Sequence, residues 1–193
     1  MAENKGGLEG VVVADVTTSL VDGVNGKLIY GGYKIEDLAE NALFEEVVFL
    51  LWNTRLPNAD ELEALRSEIA QGASLPDGVI SMMKSLPKES NPMAVLRTAV
   101  SALAHYDDDA ENLTDKDVAT RKAARLTGQI TTICAAWDRI RKGNDPIAPR
   151  ADLNLAQNFV YMLSGDDPDA SAVNAINAYL VLLAEHGMNA STF

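Results

Sequence analysis

The chain has 193 residues, 28 acidic and 16 basic, with a formal charge of −12 and an isoelectric point near 4.5. An apolar share of 47% is too high for intrinsic disorder. No apolar run approaches the roughly 20 residues of a spanning helix, so no membrane partner is expected. The acidic balance argues against nucleic acid as a partner, because phosphate binding depends on Lys and Arg.

The first ten residues carry two Glu and no long apolar stretch, so neither a signal nor a transit peptide is expected, and a cytoplasmic location follows as the default. Residues 11–33 are rich in β-branched side chains (Val11, Val12, Val13, Val16, Thr17, Thr18). They are punctuated by Asp22-Gly23 and Asn25-Gly26, dipeptides that accept tight turns. Two or three short strands are predicted there. From Ile35 the apolar period becomes helical. Phe44, Val47, Val48 and Leu51 share one face of a helix that Pro57 should stop. Asn58 stands at an N-cap with Glu61 in the capping-box position, ahead of the stripe Leu62, Leu65, Ile69 and an end near Gly72.

Asn91-Pro92 opens the next helix, a capping residue followed by proline in the first turn, with Met93, Leu96, Val100 and Leu103 expected inside. The acidic loop 107–111 closes it. A long helix is predicted over 116–142, interrupted only by Gly128 and ended by Gly143, Pro146 and Pro149. A short amphipathic helix over 153–163 follows. The last helix, 169–186, contains Tyr179-Leu180-Val181-Leu182-Leu183-Ala184, apolar on every side, and is expected to run through the middle of the molecule. The predicted class is all-α, mostly helical, with a small N-terminal β-hairpin element: an arm over 1–33 and a helical portion over 34–193.

Residues 116–150 hold Lys116, Arg121, Lys122, Arg125, Arg139, Arg141, Lys142 and Arg150 against three Asp, a local charge of +5. Such a segment either draws an anionic ligand or forms a solvated helix face. No P-loop, dinucleotide fingerprint, metal-spaced Cys/His cluster or nucleophile elbow occurs. Cys134 cannot form an intrachain disulfide, since it is the single cysteine, and reads as a small core residue. His105 reads as a surface residue at a helix end. His186 ends the most apolar helix, with Gly187 as the left-handed stop, which places the imidazole at a buried helix end in need of a partner. Periodicity alone favours a satisfied core histidine over a functional one.

His186-Gly187-Met188-Asn189-Ala190-Ser191-Thr192-Phe193 resembles the His-x-x-Asn-Ala-Ser-Thr element of citrate synthases and 2-methylcitrate synthases. The same holds in order for Gly7-Leu8-Glu9-Gly10-Val11, Gly32-Tyr33 with Ile35 and Asp37-Leu38-Ala39, and Phe44-Glu45-Glu46-Val47. It continues through Leu56-Pro57, Pro92-Met93 with Leu96-Arg97-Thr98, and Asn158-Phe159 with Tyr161-Met162-Leu163. The resemblance is to the bacterial and archaeal type and covers essentially the whole chain.

It implies a helical large domain of a homodimeric acyltransferase that condenses acetyl-CoA with oxaloacetate to give citrate and CoA, as in the tricarboxylic acid cycle. No resident cofactor is implied, acetyl-CoA being a substrate. By position His186 takes the role of donor to the thioester oxygen, while the family's second His, its catalytic Asp and most CoA contacts lie further along a longer chain. The expectation is therefore an incomplete N-terminal part, inactive alone. A 2-methylcitrate synthase using propionyl-CoA is the runner-up, and a non-catalytic helical dimerisation or regulatory module is the alternative from another class. Gly187, Asn91 and Gly31 depart from residues common in the family and bear on substrate preference.

Overall fold

The computed structural model describes residues 16–112 and 114–187. The predicted strand residues before Val16, Leu113, and the part of the His186 motif after Gly187 lie outside the described residues.

The N-terminal element is a three-stranded antiparallel sheet, β1 (Ser19–Asp22), β2 (Lys27–Tyr30) and β3 (Tyr33–Lys34). Asp22 closes the first hairpin by accepting from the Val24 and Asn25 N–H groups at 3.1 and 3.0 Å. The register sets Ser19 opposite Tyr30, so this cross-strand pair faces the same side of the sheet.

Among the described residues eight α-helices follow: α1 (Ile35–Asn41), α2 (Phe44–Asn53), α3 (Ala59–Gly72), α4 (Asp77–Ser85), α5 (Pro92–Leu103), α6 (Lys116–Arg141), α7 (Leu155–Ser164) and α8 (Ala170–Leu182). The all-α class with a small β element is therefore observed. Local capping explains most of the starts. Asn58 accepts from Glu61 N at 2.9 Å while Glu61 accepts from Asn58 N, a reciprocal box. Asn154 forms a second reciprocal box with Gln157 at α7, and Asn91, Asp115 and Asp169 cap α5, α6 and α8 as side-chain acceptors only. The start of α2 is capped from a distance, by Asn177 of α8, which accepts from Phe44 N and donates to Ala42 O, both at 2.9 Å. Helix α2 ends at Asn53 with Thr54 in the left-handed region, so it stops before Pro57 is reached.

Three apolar clusters hold these elements together. Val79 and Met83 of α4, Val95, Ala99 and Leu103 of α5, and Ile133, Trp137 and Ile140 of α6 form one. Tyr30, Ile35, Leu38, Val47, Leu50 and Val181 join the sheet to α1, α2 and α8. Val48, Leu65, Ile69, Ala124 and Leu155 tie α2, α3, α6 and α7. Each fully buried aliphatic side chain contributes about 1.5–3 kcal/mol. The buried Glu45 carboxylate accepts from Leu155 N at 2.8 Å and so caps α7 from α2.

Three expectations are corrected. Met93 is 69% exposed, because α5 turns Val95, Ala99 and Leu103 inward and leaves Leu96 and Val100 at the margin. Helix α4 was not anticipated; Gly78 in its first turn masks it, and the Tyr106 hydroxyl occupies the space a Cβ would take. Helix α8 does not run through the middle. Only Val181 is buried, and Tyr179 and Leu183 are 60% and 61% exposed, so the helix lies at the surface of these residues. An all-round apolar helix needs cover on every side, and the described residues supply it on one.

Arg55 donates to Glu61 at 2.8 and 2.5 Å, and with the Asn58 N–H it holds the Glu61 carboxyl down to about 2. The folded state thus binds this proton more weakly than the unfolded one. The stabilisation is present above the ordinary Glu value and is lost as pH falls towards 2. Glu61→Gln should lower the urea midpoint at neutral pH, with the gap to the parent closing as acid protonates Glu61. A gap constant with pH would contradict this.

Candidate functional site at the end of helix α8

His186 is not on a helix. Helix α8 ends at Leu182, and the described chain continues irregularly through Ala184, Glu185 and His186 to Gly187 at φ 82°. The imidazole is exposed rather than buried, which corrects the expected placement at a buried helix end. The cause lies in β2. The buried Tyr30 hydroxyl donates to Leu182 O at 3.1 Å, the acceptor that the His186 N–H would need if the helix continued. It also accepts from Glu185 N at 3.2 Å, a donor that a continuing helix would aim at Val181 O. Burial pushes the Tyr30 hydroxyl up from its ordinary value. Glu185 Oε1 in turn accepts from Ser19 Oγ at 3.1 Å and from Gly187 N at 2.6 Å.

The sequence singles out His186 but not the contacts that Tyr30, Ser19 and Glu185 make around it. Only the position of Glu185, next to the histidine, gave a local signal. Tyr30 and Ser19 reach this site across 152 and 166 residues of sequence, beyond the range of any local pattern.

His105 lies on the surface in a short 3₁₀ turn after α5, as expected. Cys134 is not a core residue. It is exposed on α6 in an apolar groove formed with Ile130, Phe159, Ile176, Tyr179 and Leu180, a cavity of about 210 Å³. Burial of the sulfur in that groove pushes its thiol up.

Much of the basic segment is internally engaged. Arg125 pairs with Asp107 at 2.6 Å, Lys122 donates to the carbonyls of Asp109, Ala110 and Asn112, and Arg139 donates to the carbonyls of Asp145 and Leu163. Lys142 pairs with Asp138, and Arg150 with Asp152 and Asp167. These contacts fit the solvated-face reading better than an anion site. Among the described residues no cluster of His, Cys, Asp or Glu could hold a metal ion, and no helix is long and apolar enough to cross a membrane.

The fold and site define a helical domain with a small clamping sheet and a histidine presented beyond a helix end. The family described as "Citrate synthase, C-terminal domain" matches residues 7–193. The citrate synthase of Haloferax volcanii is 46% identical over 99% of this chain and 51% of its own length. A 2-methylcitrate synthase of Mycobacterium tuberculosis is 39% identical over 98% of this chain and 47% of its own. Among solved structures, citrate synthase from Pyrobaculum aerophilum superposes with a TM-score of 0.87 at 35% identity, covering 93% of this chain and 46% of that one. The Thermoplasma acidophilum citrate synthase, in ternary complex with carboxymethyl coenzyme A and oxaloacetate, gives 0.85 at 28% identity, covering 94% and 48%. The chain belongs to the citrate synthase family. It spans about half the length of the curated relatives it matches.

Proposed function

We propose that this chain forms one part of an acyltransferase that condenses acetyl-CoA with oxaloacetate to citrate and CoA, the step of the tricarboxylic acid cycle, in the cytoplasm. The observation that carries the reading is the collinear family match over 7–193, ending in the motif that begins at His186. The complex of the Thermoplasma relative supports the substrate class. Removing a proton from the acetyl methyl group builds negative charge on the thioester oxygen, and a donor fixed at that oxygen lowers the barrier. An exposed His186 beyond the end of α8 is suited to meet a thioester from outside this half. The base, the second histidine and the carboxylate contacts are assigned by the resemblance to sequence beyond residue 193.

The test joins residues 1–193 to the second half of a citrate synthase relative and follows thiol release from acetyl-CoA with oxaloacetate. The joined chain should turn over and the 193 residues alone should not. Turnover by the 193 residues alone would overturn the division of the site. Propionyl-CoA preferred over acetyl-CoA would favour the 2-methylcitrate synthase reading, which the Mycobacterium relative supports.

A homodimer is part of the same reading. The apolar groove around Cys134, Tyr179 and Leu180 is a face that a second copy would cover. Alkylation of Cys134 should therefore slow as protein concentration rises while light scattering reports association. A compact monomer with a concentration-independent alkylation rate would contradict this and favour the self-contained helical module.

A further inference from the structure

We propose that the cavity between the end of α5, the 3₁₀ turn that follows it and the N-terminal half of α6 binds a small, neutral aromatic molecule that carries one hydrogen-bond donor.

The cavity has a volume of about 240 Å³, and Pro76, Val100, Leu103, Tyr106 and Leu126 supply its apolar wall. That is below the roughly 300–1,000 Å³ of sites for drug-sized ligands, so the ligand is small. Charge does not select it. Of the cations at the rim, Arg125 pairs with Asp107 at 2.6 Å, and Lys122 donates to the Asp109, Ala110 and Asn112 carbonyls. An anion would have to compete with these partners, which favours a neutral ligand.

The selecting group is Gln129. This α6 side chain lines the cavity, is 6% exposed, and donates from Nε2 to Ser74 O at 3.2 Å. Exchanging the two ends of the amide would set Oε1 against the Ser74 carbonyl, so this bond fixes which end is the acceptor. Oε1 is left buried and without a hydrogen-bond partner. An unmatched buried acceptor is costly, and native structures seldom keep one. The bond to Ser74 is at the long end of the usual range, and a small rotation of the amide brings Oε1 to a donor in the cavity. Tyr106 forms the outer wall. It is 54% exposed, and its hydroxyl lies against Gly78 of α4, where a Cβ would clash with it. The Tyr106 ring and the Arg125 guanidinium both favour a flat π face, which makes an aromatic N–H or O–H compound the fitting class.

Indole and indene test this, because they share one two-ring outline with and without an N–H. In the 193-residue chain indole should raise Tm in a saturable manner and should bind about tenfold more tightly than indene by titration calorimetry. Gln129→Met keeps the length of the side chain and removes the acceptor, so it should bring the two ligands to within about twofold of each other. Leu126→Trp fills the cavity from α6 and should abolish the binding of both. The comparison of the two ligands on the parent chain does not depend on how well either variant folds. No saturable binding of indole, or indene bound as tightly as indole, would overturn the proposal. So would an indole affinity that falls as protein concentration rises, since that result assigns the cavity to a side chain of a second copy.

Discussion

Gly128→Val should destabilise the fold by about 3 kcal/mol, a large share of the stability of an ordinary domain. Gly128 is the one glycine inside the 26-residue helix α6. By intrinsic propensity a larger residue there should help, since glycine in a helix interior costs about 1 kcal/mol relative to alanine. Tertiary contact reverses the sign. A Cβ at this position would lie 2.7 Å from Ile69 O, 2.9 Å from Ala73 Cβ and 3.0 Å from Ala73 Cα. Two of these three atoms are backbone, so α3 would have to shift as a unit. A second close approach lies less than one turn away, where Gly72 faces the Arg125 backbone at 2.9 Å, and the two helices meet through small residues along their crossing. Gly128→Ala should cost about 1–2 kcal/mol, the overpacking penalty less the propensity gain. Urea midpoints on the parent and both variants check this, and a variant as stable as the parent would show that α3 and α6 are not so tightly set.

Where a local hydrogen bond decides an element, the sequence was a sound guide. The Asn58 box and the Asn91-Pro92 start depend on atoms within three residues of one another, and both lie where the pattern puts them. Burial at longer range was less legible. The apolar run 179–184 says that something covers it on all sides, but not that this stretch of chain provides the cover, and Val181 alone is buried. Cys134 shows the same limit, since its neighbours Ile133, Ala135 and Ala136 are buried while Cys134 itself lines a surface groove. The site divides in the same manner. His186 was legible because its motif is contiguous, whereas the end of its helix is set by a tyrosine hydroxyl 152 residues upstream.

His186→Gln should lower kcat of the joined chain by about 10²–10³, the usual value of one preorganised donor or acid. The structure adds a reason to expect little effect on folding. The imidazole is exposed, and the contacts that hold its loop are made by the backbone of Leu182, Glu185 and Gly187 and by the Glu185 carboxylate. Glutamine leaves all of them in place, so stability should change by less than about 0.5 kcal/mol, the range of surface substitutions. The amide can still donate, but it does not reproduce the geometry of an imidazole, and it cannot exchange its proton. Measuring kcat and Tm on the same preparation of the parent and His186→Gln is the most direct test. The expected result is kcat reduced about a hundredfold or more with Tm held; a folded His186→Gln protein with the parent's kcat would contradict the role of His186 in the chemistry.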